Sequence, residues 1–319
     1  MKPPLQVVWV FLDGVGLGPA HARNPLSCFR GPALTALAGG QAWSLGAKPR
    51  LGTTQLFLPI DATLGITGLP QSGTGQATLL TGFNCARIAG RHYGPYPHSR
   101  TRAVLARYNV FRRLQDRGYP AAFANAYPPS FFTQARVRNR WSVTTRCCLE
   151  AGIVLRDLQA LAQGNAIAAD LTGQRLFDAG FAVTVIEEAE AAHRLMHIAT
   201  HHAFTLVEYF LTDQAGHSQD IDEAYRVLAS LDRFFAALLD LLEPDRQLLL
   251  ISSDHGNLED LRVRTHTRNP VPLIAWGQGA MHFRHARDLR DITPTIVALL
   301  EAAMADSLQQ RPRSPAGVP

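Results

Sequence analysis

The chain reads as an α/β protein: a mostly parallel central sheet flanked by helices on both faces, with a small inserted segment. Three observations carry that reading. The apolar runs VVWVFL, LVEYFL and LLLIS are continuous rather than alternating, as expected of parallel strands buried on both faces. Helical patterns lie between them, with apolar residues at Ile221, Tyr225, Leu228, Leu231, Phe235, Leu238 and Leu242 forming one face at spacings of three and four. Each run also ends in a polar cluster, where open α/β sheets place their ligands. These clusters are Asp13-Gly14, Asp213-Gln-Ala-Gly-His217 and Ser253-Asp254-His255-Gly256-Asn257.

The first strand is Gln6 to Leu12, followed by Gly14, Gly16 and Gly18. A Gly-x-Gly turn after a strand suggests dinucleotide binding. Here the third glycine is misplaced, Asp13 has no role in such a site, and Pro19 interrupts a helix start. A Gly/Thr/Pro-rich stretch runs to Pro70, and Gln71 to Gly82 then reads as a tight turn entering a short helix. Phe111 to Gly118 is a helix closed by glycine, and AAFANAY after it is strand-like. From Ser130 to about Val185 the strand-helix rhythm is lost. Arg136, Arg138, Arg140 and Arg146 crowd around Trp141 there, and we expect an insertion at about 130–186.

The core resumes with a helix near Glu187 to His202, a strand Thr205 to Leu211, the long helix ended by Pro244, and strands Gln247 to Ile251 and Val271 to Trp276. A last helix spans Asp291 to Met304. One core over 1–305 is therefore expected. The Pro- and Arg-rich residues 306–319 have little to bury and should form a disordered tail.

At 319 residues, 46% hydrophobic and 18% charged, the chain has a globular composition and can bury a large core. No apolar run is long enough for a membrane span, and the first strand has no cleavage site of a signal peptide. Cys28, Cys85, Cys147 and Cys148 show no metal-knuckle or redox spacing, which suits reduced thiols in a cytoplasmic protein. A net charge of +5 suits an anionic small-molecule substrate. The basic residues are scattered, with no aromatic-interleaved stripe, so neither nucleic acid nor a membrane is an expected partner.

Three carboxylates and three imidazoles, counting His266 before the run PVPLIAW, would converge on one rim of the sheet. Carboxylates that close repel and desolvate badly unless cations sit among them. Carboxylate and imidazole ligands suit zinc or manganese. Asp213 and His217, four apart, share a helical face. Asp254 and His255 are adjacent and should point apart. The expectation is two divalent ions, one held by Asp213, His217 and His266 and the other by Asp13, Asp254 and His255, with Asn257 orienting a ligand from behind. A lone Asp at a strand end is more often a cap or turn residue; the joint occurrence of four clusters lifts the metal reading. His193, His197, His201 and His202 belong to a helix and read as surface or packing residues. Ser72 and Thr74, in the turn opening a helix, are both candidate nucleophiles at a phosphate-binding helix terminus.

LDGVG, GLPQSGTGQATLLTG, TDQAGH, SDHGN, THT with PVPLI, and DITPTIVALL together resemble the alkaline phosphatase superfamily, in its branch with cofactor-independent phosphoglycerate mutase and phosphopentomutase. They spread from Val8 to Leu300. The resemblance implies an alkaline-phosphatase-like fold. It also implies a metal set of Asp13, Ser72, Asp254 and His255 against Asp213, His217 and His266, with Ser72 as nucleophile and Thr74 as the fallback. Gln76 stands where the mutases have a histidine. The implied substrate is a small phosphorylated molecule, with Arg91, His92 and Thr74 as candidate substrate contacts. A solvated basic surface is the competing reading of the loop Arg87 to Arg102. The mutases carry a large water-excluding cap and a basic second-phosphate site, and no matching segment is evident here. The expected activity is therefore a phosphohydrolase acting through a serine phosphoenzyme. The alternatives are a phosphomutase that borrows its lid from the insertion or from a second copy in a homodimer, and a metal-binding protein without catalysis.

Overall fold

The computed structural model describes residues 5–138 and 140–309. Its strands are β1 (Gln6–Leu12), β2 (Arg50–Leu51), β3 (Gln55–Ile60), β4 (Ala121–Phe123), β5 (Ala126–Tyr127), β6 (Arg156–Asp157), β7 (Phe204–Tyr209), β8 (Gln247–Ser253) and β9 (Val271–Gly277). Seven form one sheet in the order β2-β3-β9-β8-β1-β7-β4, and β5 and β6 make a separate small ladder. The strands β8, β1, β7 and β4 are mutually parallel, while β9 runs antiparallel to both β8 and β3. The sheet is mixed and mostly parallel, with helices on both faces.

Alternate residues of the central strands feed two cores, which is why their sequences show no polar alternation. Val7, Trp9 and Phe11 of β1 join Phe204 and Leu206 of β7 on one face. That face is covered in part by the helices Ser72–Thr81, Val110–Gln115 and Val143–Ala151. Val8, Val10 and Leu12 face the other way, toward the helices Glu188–Ala199 and Ile221–Leu241. The latter starts where the Asp220 carboxylate accepts the N–H groups of Asp222 and Glu223, and it turns Leu228, Leu231, Phe235 and Leu238 onto the sheet.

Three differences from expectation have physical causes. Strand β3 lies hidden in the Gly/Thr/Pro-rich stretch before Pro70, where Pro59 and flanking turn residues mask a run of largely buried side chains. The strand expected over residues 121–127 breaks after Phe123. There the Asn125 side chain donates to Glu208 O and accepts from Glu208 N, both at 2.8 Å, standing in for a backbone partner as the chain leaves the sheet. The last helix runs to Gln309, five residues beyond Met304, so 306–309 are helical and the remaining expected tail, 310–319, lies outside the described residues.

The inserted region contributes the helices Pro129–Arg138 and Val143–Ala151, the β5–β6 ladder and a small apolar cluster of Ala126, Leu161, Ala166 and Ala168. No helix among the described residues is long and apolar enough to cross a membrane. All four cysteines are unpaired, and Cys85, Cys147 and Cys148 are buried.

Phe204 is fully buried, with its ring edge-on to Trp9 at 6.1 Å and to Phe111 at 5.6 Å between centroids. Phe204→Ala should cost about 3–5 kcal/mol of folding free energy, the range for removing a buried aromatic. Guanidinium denaturation followed by circular dichroism will measure it.

Candidate metal centre

The carboxyl ends of β1, β7 and β8 lie side by side, so the residues that follow them meet at one edge of the sheet. Asp13 follows β1. The helix Leu211–Ser218 follows β7 and carries Asp213 and His217 one turn apart. Asp254 and His255 follow β8 and are both fully buried. His266 reaches the same edge because β9 is antiparallel: the residues before its first position lie where the parallel strands end. The helix Ser72–Thr81 closes the set, with Ser72 as its first residue.

The contacts are short. Ser72 Oγ lies 2.9 Å from His255 Nε2. The same nitrogen is 3.3 Å from Asp13 Oδ1 and 3.5 Å from Asp254 Oδ2. His217 Nε2 is 3.3 Å from Asp213 Oδ2, and His266 Nε2 is 3.7 Å from Asp213 Oδ1. The His255 and His266 rings stack at 3.8 Å. Two groups of donor atoms are close enough to share an ion: Asp213, His217 and His266, and Asp13, Asp213 and His255. Asp213 thus lies between the two halves of the site. Asp254 and His255, expected to point apart, instead turn toward a common point.

Gly14 shows how tightly the edge is drawn. Its φ is +70°, and a Cβ there would stand 2.5 Å from Asp213 Oδ1. Asn257 Nδ2 donates to Asp213 O and Oδ1 at 3.1 and 2.6 Å, fixing the shared carboxylate from behind. Gln76 Nε2 donates to Asp13 Oδ2 at 3.2 Å.

Burial, then the charges of Asp254, Asp213 and Glu208, holds the Asp13 carboxyl well above the usual carboxylate range. Burial, then Asp213, does the same to Asp254. Burial, with His266 beside it, pushes the His255 imidazole well below its ordinary value. Asp13 Oδ1 and Asp254 Oδ2 are buried without a hydrogen-bond donor.

The imidazoles are oriented as ligands are. His217 Nδ1 lies 2.9 Å from Arg264 O, and His266 Nδ1 lies 2.8 Å from Pro70 O. A carbonyl only accepts, so each Nδ1 carries a proton, and in the neutral ring each Nε2 presents a lone pair. Those two lone pairs face each other at 3.3 Å. Such an arrangement repels unless a cation lies among the donors, and the orphaned carboxylate oxygens ask for the same thing. The residues therefore fit divalent metal ions.

The comparisons with known proteins agree with this chemistry. A family model described as the metalloenzyme superfamily matches residues 177–304, a span holding Asp213, His217, Asp254, His255 and His266. Over that span, about two-fifths of its length, the chain is similar to the metalloenzyme superfamily.

Similarity to curated proteins is distant and partial. A 2,3-bisphosphoglycerate-independent phosphoglycerate mutase from Aliivibrio fischeri is 35% identical over 99 residues, which are 29% of this chain and 19% of the mutase. One from Ehrlichia canis is 29% identical over 110 residues, 32% of this chain and 22% of the mutase. The chain spans about a fifth of the length of the curated relatives it matches. In fold it is similar to PH0037 protein from Pyrococcus horikoshii, at TM-score 0.56 and 15% identity over 94% of this chain and 98% of that one. It is also similar to alkaline phosphatase from the Antarctic bacterium TAB5, at TM-score 0.51 and 12% identity over 94% and 99%.

The candidate substrate residues fare unequally. Thr74 is fully buried, and its hydroxyl donates to Gln71 O and accepts the Tyr93 N–H. That hydroxyl is committed to holding the loop at Tyr93, so Thr74 is neither a free nucleophile nor a substrate contact. Arg91 and His92 line a recess of about 450 Å³ beside Gln71. The exposed Arg91 guanidinium sits 5.6 Å over the Tyr93 ring, while half-buried His92 bonds Thr63 O.

Two features escaped the sequence reading. Arg102, Arg140 and Arg146 line a recess of about 370 Å³ under the loop Tyr93–Pro97, and that loop packs on the helix of Ser72 so closely that a Cβ on Gly73 would meet Tyr96 O at 2.2 Å. Glu259 was also missed. It is fully buried, and its carboxylate accepts the N–H groups of Gly16 and Asn257, the Thr267 hydroxyl and the Asn269 amide. It ties the loops after β1 and β8 to the loop bearing His266. A lone Glu in a loop reads as solvated, and no spacing marked it.

Glu259→Ala should leave four donors without their acceptor and cost about 3 kcal/mol or more, seen as a lowered Tm in calorimetry. An Asp240→Ala control, at an exposed position on the helix Ile221–Leu241, should change it little.

Proposed function

We propose that this chain is a binuclear-metal phosphohydrolase acting on a small phosphorylated substrate through a Ser72 phosphoenzyme. The observation that carries the reading is Ser72 Oγ, held at a helix start 2.9 Å from His255 Nε2, the nitrogen that also lies 3.3 and 3.5 Å from two carboxylate oxygens left without a donor. Asp13, Asp254, His255 and Ser72 would hold one ion, and Asp213, His217 and His266 the other; zinc and manganese both suit these donors. Bound there, divalent ions lower the pKa of the serine hydroxyl and neutralise charge on the phosphoryl oxygens.

The chain's own groups do the rest. Ser72 Oγ forms the bond to phosphorus as the ester oxygen leaves, and the positive end of the ten-residue helix behind it stabilises the added negative charge. Asn257 and Gln76 keep Asp213 and Asp13 aimed inward. The His217 side chain is 46% exposed, so the site opens to solvent on that side, and water there favours hydrolysis of the phosphoserine. The arginine recess beside Gly73 favours a second reading, a phosphomutase that holds a second anion while the phosphoryl group moves.

Ser72→Ala should lower kcat by about a thousandfold or more while retaining bound zinc or manganese, because most of the donor set remains. Phosphate release from phosphorylated metabolites, followed by phosphorus NMR with manganese and with zinc, tests the hydrolase reading. Interconversion of 2- and 3-phosphoglycerate without free phosphate would replace it by the mutase. Metal-stripped protein should gain Tm on adding manganese or zinc, by mass action on the folded state, and His217→Ala or Asp254→Asn should reduce that gain. Equal Tm with and without metal would remove the metal reading.

A further inference from the structure

A cavity of about 530 Å³ lies beyond the carboxyl end of β7, beside the helix that carries Asp213. Its floor comes from the sheet edge: Glu208 and Phe210 at the end of β7, and Tyr127 of β5. Its outer wall comes from the inserted region, with Phe131 and Leu176. Asp213 sits in the chain between Phe210 and Gln214, which both line the cavity, so the same chain segment serves the metal centre and the cavity. Volume and lining match the concave, largely apolar sites that take small molecules.

The surroundings define what fits. The Tyr127 and Phe131 rings stack at 3.9 Å and 13°, and Trp141 braces Phe131 edge-on at 5.9 Å. This fixes a flat aromatic wall. Arg175, the only cation in the described lining, bonds Gln214 Oε1 at 2.7 Å and takes its backbone N–H to Asp170. Glu208, whose carboxyl burial pushes up to about 7, sits in the floor. The single guanidinium of Arg175 stands against the carboxyls of Asp170 and Glu208, so the described lining carries no excess positive charge to receive a second anionic group.

We propose that this cavity receives the ester group of the substrate, and that the group is uncharged and carries an apolar, aromatic-sized ring. The proposal rests on the phosphate-ester reading of Ser72. It gives the inserted region a specificity role: its helices build a wall for the leaving group while the sheet edge holds the phosphoryl group. Ring contact against Tyr127 and Phe131 would raise kcat/KM without touching the reacting atoms.

The test compares 2-phenylethyl phosphate with ethyl phosphate, whose leaving alcohols have similar acidity, on the manganese- or zinc-loaded enzyme. The expected kcat/KM is at least tenfold higher for the phenylethyl ester. Ser130→Trp, at an exposed position on the cavity rim, should plug the cavity and bring the two esters within twofold, leaving ethyl phosphate unchanged. Phe131→Ala gives the same loss of preference by a different route, should the plugged variant fold poorly. Equal kcat/KM for the two esters in the wild type, or a plug that slows both alike, overturns the proposal. Binding of the free product 2-phenylethanol is followed in parallel by saturation-transfer NMR. Binding that Ser130→Trp abolishes, in an enzyme that hydrolyses neither ester, keeps the cavity's ligand class and removes the phosphatase reading instead.

Discussion

The repulsion among lone pairs at the edge of the sheet is the constraint around which the rest is built. Carboxylate oxygens of Asp13 and Asp254 and the Nε2 atoms of three histidines are held within a few ångströms of one another, mostly out of water. Left alone, such a cluster would relax by swinging side chains outward. It is prevented by bonds from behind: His266 to Pro70 O, His217 to Arg264 O, Asn257 to Asp213, and Glu259 across three loops. Part of the folding free energy is therefore spent on keeping the donors converged, and cation binding would return it.

Topology makes that convergence available. The strands β8, β1 and β7 are neighbours and parallel, so three chain segments leave the sheet at one edge. The antiparallel β9 delivers the residues before it to the same edge, which brings in His266. A parallel β9 would have put His266 at the opposite edge. The mixed character of the sheet is thus part of the site.

That logic explains why much of the molecule was legible in sequence. Doubly buried strands show as unbroken apolar runs, and the polar clusters after Leu12, Tyr209 and Ser253 mark where those runs leave the sheet. What stayed hidden depended on distant partners. Asn125 breaks an apparent strand because Glu208, far along the chain, supplies both of its bonds. Glu259 resembles any loop acid until the donors around it are assembled. Arg140, Arg146 and Trp141 stood out as a cluster, but their recess also needs Arg102, which comes nearly forty residues earlier. The Asp254–His255 pair was misjudged because alternation applies within a strand, and these residues lie just past its last hydrogen-bonded position.

The inserted region stands in a different relation to the chemistry. Its own core is small, Ala126, Leu161, Ala166 and Ala168, and its ladder joins only two residues from each strand. Its helix Val143–Ala151 packs into the main core through Val143, Cys147 and Cys148, while the part beyond is held by polar ties such as Arg156 Nε to Phe123 O and Arg194, on the helix Glu188–Ala199, to Leu161 O, together with the Asn125 bonds. None of these involves a residue of the metal cluster. Changes in the wall at Phe131 or Leu176 can therefore alter what the cavity accepts without moving Ser72 or the donors around it. A sheet edge for the reaction and an inserted segment for selection is an arrangement in which one chemistry can serve different esters.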